Sequence, residues 1–125
     1  MATLYPIFVP LEHIDEEFLS FYEVTDWCRE NLKENSPNAY WLTQEDIHLI
    51  TNRSHILHII NEESGSQLSE GNGGYIINPE VKQQISERLY FAKERFVGRE
   101  LEIVAQLVKM FDVAIKTKKN IYFCF

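Results

Sequence analysis

Residues 78–98 read NPEVKQQISERLYFAKERFVG, and they hold the sharpest structural signal in the chain. Asn78 is a residue type that caps helix N-termini. Pro79 suits the first helical position, where its missing N–H is not needed and its φ is already helical. Apolar residues then recur at helical spacing, namely Val81, Ile85, Leu89, Ala92 and Phe96. The stretch therefore predicts a helix that begins at Pro79.

The apolar stripe continues past Gly98 with Leu101, Val104, Val108, Phe111 and Ile115. One unbroken helix over residues 79–118 would be about 60 Å long at ~1.5 Å per residue. That length is excessive for a domain whose radius of gyration is near ~14 Å. We therefore predict two helices separated by a break near Gly98, with the lysines at 116, 118 and 119 at the second C-terminus.

Short β-branched and aromatic runs predict the strands. Residues 4–9 predict an edge strand, because Pro6 lies inside it and proline is tolerated at edges. Residues 75–77 and 121–125 predict two more strands, the last of them beside the first. Residues 54–61 are apolar and too short to assign by periodicity. They favour a strand that pairs with residues 75–77 around the polar loop 64–74.

Two helices are predicted in the first half. Residues 15–33 form an amphipathic pattern through Phe18, Phe21, Tyr22, Thr25, Cys28 and Leu32, and residues 43–46 resemble a capping box that opens a short helix to about residue 51. The whole chain predicts one α+β domain over residues 1–125. Its small, mainly antiparallel sheet has three or four short strands, covered on one side by about four helices. A mostly α fold is the alternative if residues 54–62 are helical.

The composition excludes several classes of protein. No apolar run reaches the ~18 residues that span a bilayer, and residues 1–4 lack the pattern of a signal peptide. Cys28 and Cys124 form no CxxC pair, so buried free thiols are expected. We expect a cytoplasmic protein without a cofactor. No sequence motif indicates a particular enzymatic reaction.

The charge is unevenly distributed. The chain carries a net charge of −7. Residues 1–63 contain 12 acidic and three basic side chains, a net charge of −9, whereas residues 64–125 carry +2. Phosphates would be repelled by the first half, so nucleic acid is not the expected partner. A basic protein is.

Three other patterns suggest chemistry. His48, His55 and His58 lie within eleven residues, and three imidazoles can hold zinc. On a strand, however, residues 55 and 58 point to opposite faces. Cys28 beside Arg29 resembles an activated thiol, although it falls on the apolar helix face. The glycines of residues 65–74 run into a strand-like segment, whereas a phosphate-binding loop opens a helix.

The acidic helix and nearby aromatic residues form the predicted partner-binding surface, because aromatic residues anchor interfaces and charges steer association. Its members are Glu12, Asp15, Glu16, Glu23, Asp26, Trp27, Glu30, Tyr40 and Trp41. A solvated helix face is the simpler interpretation of the same pattern.

Two functions follow from these observations. The first is an acidic binding or inhibitor domain, such as a bacterial immunity or antitoxin-like protein that neutralises a basic, nuclease-type toxin. The alternative is a small metal-binding or ligand-binding, enzyme-like domain that uses the three histidines. Neither nucleic acid nor a membrane is an expected partner, and homo-oligomerisation is left open.

Overall fold

The computed structural model describes residues 3–11 and 13–125. The elements in chain order are β1 (Tyr5–Phe8), α1 (Phe21–Asn31), β2 (Ala39–Leu42), α2 (Gln44–His48), α3 (Ile56–Ser64), β3 (Gly74–Ile76), α4 (Pro79–Ala92), α5 (Gly98–Thr117) and β4 (Ile121–Phe123). A π-helical turn over Leu49–Arg53 extends α2. The four strands form one antiparallel sheet in the order β2-β1-β4-β3. The predicted α+β class is confirmed.

The sheet places β4 beside β1, as predicted. The prediction that β1 is an edge strand is wrong, because β1 pairs with β2 on one side and with β4 on the other. Pro6 is tolerated for a local reason. Its carbonyl accepts a hydrogen bond from the Cys124 N–H at 3.0 Å, one residue beyond the end of β4. The position at which Pro6 lacks an N–H therefore lies at the end of the hydrogen-bond ladder between β1 and β4.

Alternation along β4 divides the interior into two clusters. Ile121 and Phe123 join the large cluster, to which α2, α3, α4 and α5 all contribute. Tyr122 and Cys124 join the small cluster on the other sheet face, with Phe8 and the buried side of α1. Successive side chains of a strand point to opposite faces, so one strand serves both clusters. Helices therefore cover both faces of the sheet, and the expected one-sided cover is wrong.

The segment predicted as a strand over residues 54–61 is instead helix α3. Ile56, Leu57, Ile59 and Ile60 are all buried, and this spacing fits one helix face better than an alternating strand. His55 precedes the helix in the left-handed region, with φ of 63°. As a result β3 pairs with β4 and makes no hairpin with residues 54–61.

Strand β2 was not predicted. Its outer residues Ala39 and Leu42 are buried, whereas Tyr40 and Trp41 are half-buried. A four-residue strand is recognisable only when its neighbour β1 supplies the register.

Helix α1 is shorter than the predicted 15–33. Ser20 caps it: the Ser20 hydroxyl accepts from the Glu23 N–H at 3.2 Å, and the Glu23 carboxylate accepts from the Ser20 N–H at 3.2 Å. This reciprocal capping box fixes the first turn. Phe18 and Tyr22, predicted to lie in the buried stripe, are 81% and 77% exposed.

The predictions around Pro79 and Gly98 are confirmed. The Asn78 side chain accepts from the N–H groups of Glu80 and Val81 at 2.8 and 3.1 Å, and Pro79 begins α4. A single 3₁₀ turn, Lys93–Arg95, follows α4. Gly98 then begins α5 with φ of +59°, a conformation in which a β-carbon would be strained.

An ion pair fastens α2 to the start of α5. Arg99 donates Nε–H to Asp46 Oδ1 at 2.9 Å and Nη2–H to Oδ2 at 2.8 Å. Asp46 also completes the predicted capping box with Thr43. The Arg99 guanidinium and the Thr43 bonds lower the pKa of Asp46 to about 2, against the opposing effect of burial. The pair stabilises the fold while Asp46 is ionised.

We predict that Asp46→Asn costs about 2 kcal/mol in the free energy of unfolding at pH 7. The folded pKa lies below the unfolded value of 3.8. The stabilisation is therefore complete above about pH 4 and is lost as the pH falls toward 2. Urea denaturation at pH 7 and pH 3 measures the difference. Glu102→Gln removes the exposed partner of Arg99 and should cost less than about 0.5 kcal/mol. Equal costs for the two variants, or a pH-independent difference for Asp46→Asn, would contradict this account.

Candidate functional site

Helix α1 presents three carboxylates on its outer side. The buried residues Val24, Thr25 and Cys28 define its inner side. At 3.6 residues per turn, Glu23, Asp26 and Glu30 cluster on the opposite side, and all three are exposed. We call these three residues the α1 carboxylate row.

The carboxylate row is not engaged in ion pairs within the described residues. In residues 3–11 and 13–125, Glu23, Asp26 and Glu30 make no salt bridge. Several acids on the other face of the sheet do make salt bridges: Asp46 and Glu102 with Arg99, and Glu62 and Glu63 with Arg88. Glu62 also contacts His58, and Glu70 contacts His48. The charge of the row is therefore available to a partner.

Glu16, another predicted binding residue, belongs to the fold. Its two carboxylate oxygens accept from the Asn120 N–H at 3.1 and 3.2 Å. Lys119 donates to the Ile14 carbonyl at 2.6 Å, and the buried Lys82 donates to the Lys119 carbonyl at 2.6 Å. Burial raises the pKa of Glu16 and lowers that of Lys82. This network ties the segment before α1 to the α5–β4 connection.

The remaining predicted acids fall on the approach to α1. Asp15 is exposed, and its carboxylate accepts from the Glu17 N–H at 3.2 Å. Glu12 lies outside the described residues. The exposed Asp15 therefore extends the acidic surface beyond the N-terminal end of α1.

The predicted aromatic residues do not form one surface. Trp27 and Trp41 both pack against the small cluster. The Trp27 ring meets His13 edge-on at 5.9 Å, and the Trp41 indole N–H donates to the Lys33 carbonyl at 3.0 Å. Tyr40 lies on the opposite sheet face, against the large cluster, with the Arg99 guanidinium 5.9 Å from its ring centroid. The structure separates Tyr40 from the other two.

Sequence reasoning missed two exposed aromatic residues, Tyr22 and Tyr75, as members of the candidate surface. Tyr22 shares α1 with the row, and Tyr75 on the edge strand β3 is 45% exposed. The Phe21 ring joins them, because it meets Tyr22 edge-on at 5.7 Å and stacks on Tyr75 at 5.9 Å. Ser20 and Glu23 have the spacing of a capping box. That signal would have placed the start of α1 correctly and would have predicted that Tyr22 is exposed.

The three histidines do not converge. His55 and His58 lie side by side, with ring centroids 6.4 Å apart, and His58 Nε2 is 2.9 Å from Glu62. His48 instead contacts Glu70 at 3.3 Å. Across the part of the chain that the structure describes, no group of three or more His, Cys, Asp or Glu side chains could hold a metal ion. The described residues therefore give no support to a zinc site formed by the three histidines.

The two thiols and the glycine-rich loop were the other candidates for chemistry. Cys28 and Cys124 are free and buried, and burial raises the pKa of each thiol to about 12. That direction is opposite to the one a reactive thiolate needs. The glycine-rich loop leads into strand β3 and opens no helix. At Gly73 an added β-carbon would lie 2.3 Å from the Phe123 carbonyl oxygen, so glycine serves close packing there.

Comparison with known proteins gives one informative match. No family model matches the chain, and no curated protein matches it. A solved structure, the Neisseria DNA mimic protein DMP12, superposes with a TM-score of 0.72 over 98% of this chain and 100% of that chain, at 22% sequence identity. The two chains share a fold. At this level of identity the likeness establishes the fold alone. No helix in the described residues is long and apolar enough to cross a membrane.

We predict that Glu16→Ala destabilises the protein by about 1–2 kcal/mol, because it leaves the part-buried Asn120 N–H without its acceptor. Glu17→Ala removes the exposed neighbouring carboxylate and should change stability by less than about 0.5 kcal/mol. Urea unfolding of the two variants measures the difference. A cost for Glu17→Ala as large as that for Glu16→Ala would contradict the assignment of Glu16 to the fold.

Proposed function

We propose that the protein is an acidic binding domain that docks on the DNA-binding face of a basic protein. Its α1 carboxylate row would occupy positions that DNA phosphates take on that face. The observation that carries this proposal is the row itself. Three exposed carboxylates lie on one side of a helix, without salt bridges in the described residues.

The carboxylates of the row have a spacing comparable to that of DNA phosphates. Glu23 and Glu30 are seven residues apart, about 10 Å along a helix axis. The three carboxylates are therefore about 5 Å apart along the axis of α1, whereas the phosphates of one DNA strand are about 3.4 Å apart along the duplex axis. Asp15 and Glu17 before the helix and Glu34 after it are also exposed. A basic surface shaped for phosphates would meet several negative charges at once.

The shared fold gives independent support. The structural neighbour is named as a DNA mimic protein. This chain has a net charge of −7, and the excess falls in residues 1–63, which include α1. A rigid helix that displays carboxylates is pre-organised for such a role, since its charges need no reordering on binding.

The chemistry of the proposed partner follows from the charge. A protein that binds DNA presents Lys and Arg to the phosphates. A nuclease-type toxin is one such protein, so an immunity or antitoxin role is a narrower form of this proposal. The protein would then act in the cytoplasm, and duplex DNA itself would be repelled by the carboxylate row.

The test is release of DNA-binding proteins from DNA. Basic proteins of the host are loaded on DNA-cellulose and eluted with the purified protein. We expect the wild type to release at least one of them. The triple variant Glu23→Gln, Asp26→Asn, Glu30→Gln should bind the released protein about tenfold more weakly. This estimate assigns about 0.5 kcal/mol to each exposed charge pair. The loss should shrink as salt is raised, because salt screens exposed charges.

The matched control is Glu80→Gln, Glu87→Gln, Glu94→Gln, which changes exposed carboxylates on or just after α4. Both triple variants change the net charge from −7 to −4. The control should keep wild-type affinity. If both variants lose affinity equally, overall charge and not the row drives binding. If the wild type releases no protein from DNA, the proposed function is wrong.

A further inference from the structure

A groove of about 640 Å³ runs beside the carboxylate row, between α1 and the edge strand β3. Phe21, Tyr22 and Asp26 line it from the α1 side. Residues 71–75 line it from the other side, ending at Tyr75. We call it the α1–β3 groove. Because residues 71, 73 and 74 are glycines, that side presents backbone rather than side chains, apart from Asn72 and Tyr75.

The aromatic wall of the groove is anchored in the small cluster. Tyr122 of β4 stacks on Phe8 at 5.0 Å in the interior, and on Tyr75 at 5.5 Å toward the surface. Phe21 stacks on Tyr122 at 6.1 Å and meets Tyr22 edge-on. Each ring is held by the next, so Tyr75 is already ordered before a partner arrives. Tyr22, at the outer end, is 77% exposed.

The charges near the groove favour a cation at one end. Asp26 lies four residues after Tyr22, so the two side chains are neighbours on the surface of α1. Asp26 makes no salt bridge in the described residues. Arg29 also lines the groove, three residues after Asp26 and seven after Tyr22, about 10 Å from Tyr22 along the axis. A cation held between Tyr22 and Asp26 therefore lies at the end of the groove that is farther from Arg29.

We propose that the α1–β3 groove receives an arginine side chain of the basic partner, stacked on Tyr22 and hydrogen-bonded to Asp26. This inference rests on the proposed function and adds the contact that selects among basic partners. A planar guanidinium stacks on aromatic faces and donates to a carboxylate in a fixed geometry, whereas a lysine ammonium is a compact, strongly hydrated charge. The groove thus discriminates arginine from lysine, which the carboxylate row does not.

The experiment uses two probes of equal charge, acetylated and amidated octapeptides of arginine and of lysine. Isothermal titration at low salt measures their affinities for the full chain. We expect the wild type to bind the arginine peptide about fourfold more tightly than the lysine peptide, as an exposed cation–π contact implies. Tyr22→Ala should abolish that preference, and Tyr22→Phe should retain it because the ring remains.

Two control variants and one further test complete the experiment. Phe91→Ala removes an aromatic side chain that is also 77% exposed but lies on α4, outside the groove, and it should keep the preference. Asp26→Asn should reduce the preference, whereas Glu30→Gln, which does not line the groove, should weaken both peptides equally.

The outcomes separate this inference from the proposed function. If both peptides bind with salt-dependent affinity and the wild type shows no preference, the groove assignment is wrong and the carboxylate row stands. The same conclusion follows if the preference survives in Tyr22→Ala. If neither peptide binds at low salt and no protein is released from DNA, both proposals fail.

Discussion

Alternation of side chains along β4 is the constraint on which the rest of the structure depends. Ile121 and Phe123 enter the large cluster, and Tyr122 and Cys124 enter the small one. Because both clusters share this strand, the position of α1 is coupled to the packing of the other four helices. The buried side of α1 is fixed on Tyr122 and Cys124. The carboxylate row must then face outward.

The two faces of the sheet serve different purposes. On the face of the large cluster, ion pairs such as Asp46 with Arg99 join elements that are distant in sequence. On the face of the small cluster, carboxylates are used in two ways. Glu16 accepts hydrogen bonds from the Asn120 N–H and belongs to the fold, whereas the carboxylate row makes no salt bridge in the described residues. Part of the excess negative charge of the chain is therefore concentrated on the exposed side of α1, which the composition alone does not reveal.

Short sequence patterns correctly predicted the features that depend on interactions between neighbouring residues. The cap at Asn78, the capping box at Thr43 and the break at Gly98 each depend on a few neighbouring residues, and all three are present. The errors concern elements decided by tertiary contacts. Residues 56–60 have an apolar pattern compatible with strand or helix, and burial on the large cluster selects the helix. The central position of β1 depends on pairing with residues more than 100 positions away.

The acidic part of the candidate site could be predicted, because charge is visible in the sequence, but its aromatic part could not. Trp27, Tyr40 and Trp41 are near each other along the chain and are used for packing. Tyr75 reaches α1 only through the sheet. The central claim is that the protein and DNA occupy the same face of a basic partner. The most direct measurement titrates duplex DNA into a preformed complex with a partner released from DNA, and follows dissociation. We predict mutually exclusive binding, with an apparent Kd that rises in proportion to DNA concentration. A stable ternary complex at saturating DNA would contradict the claim.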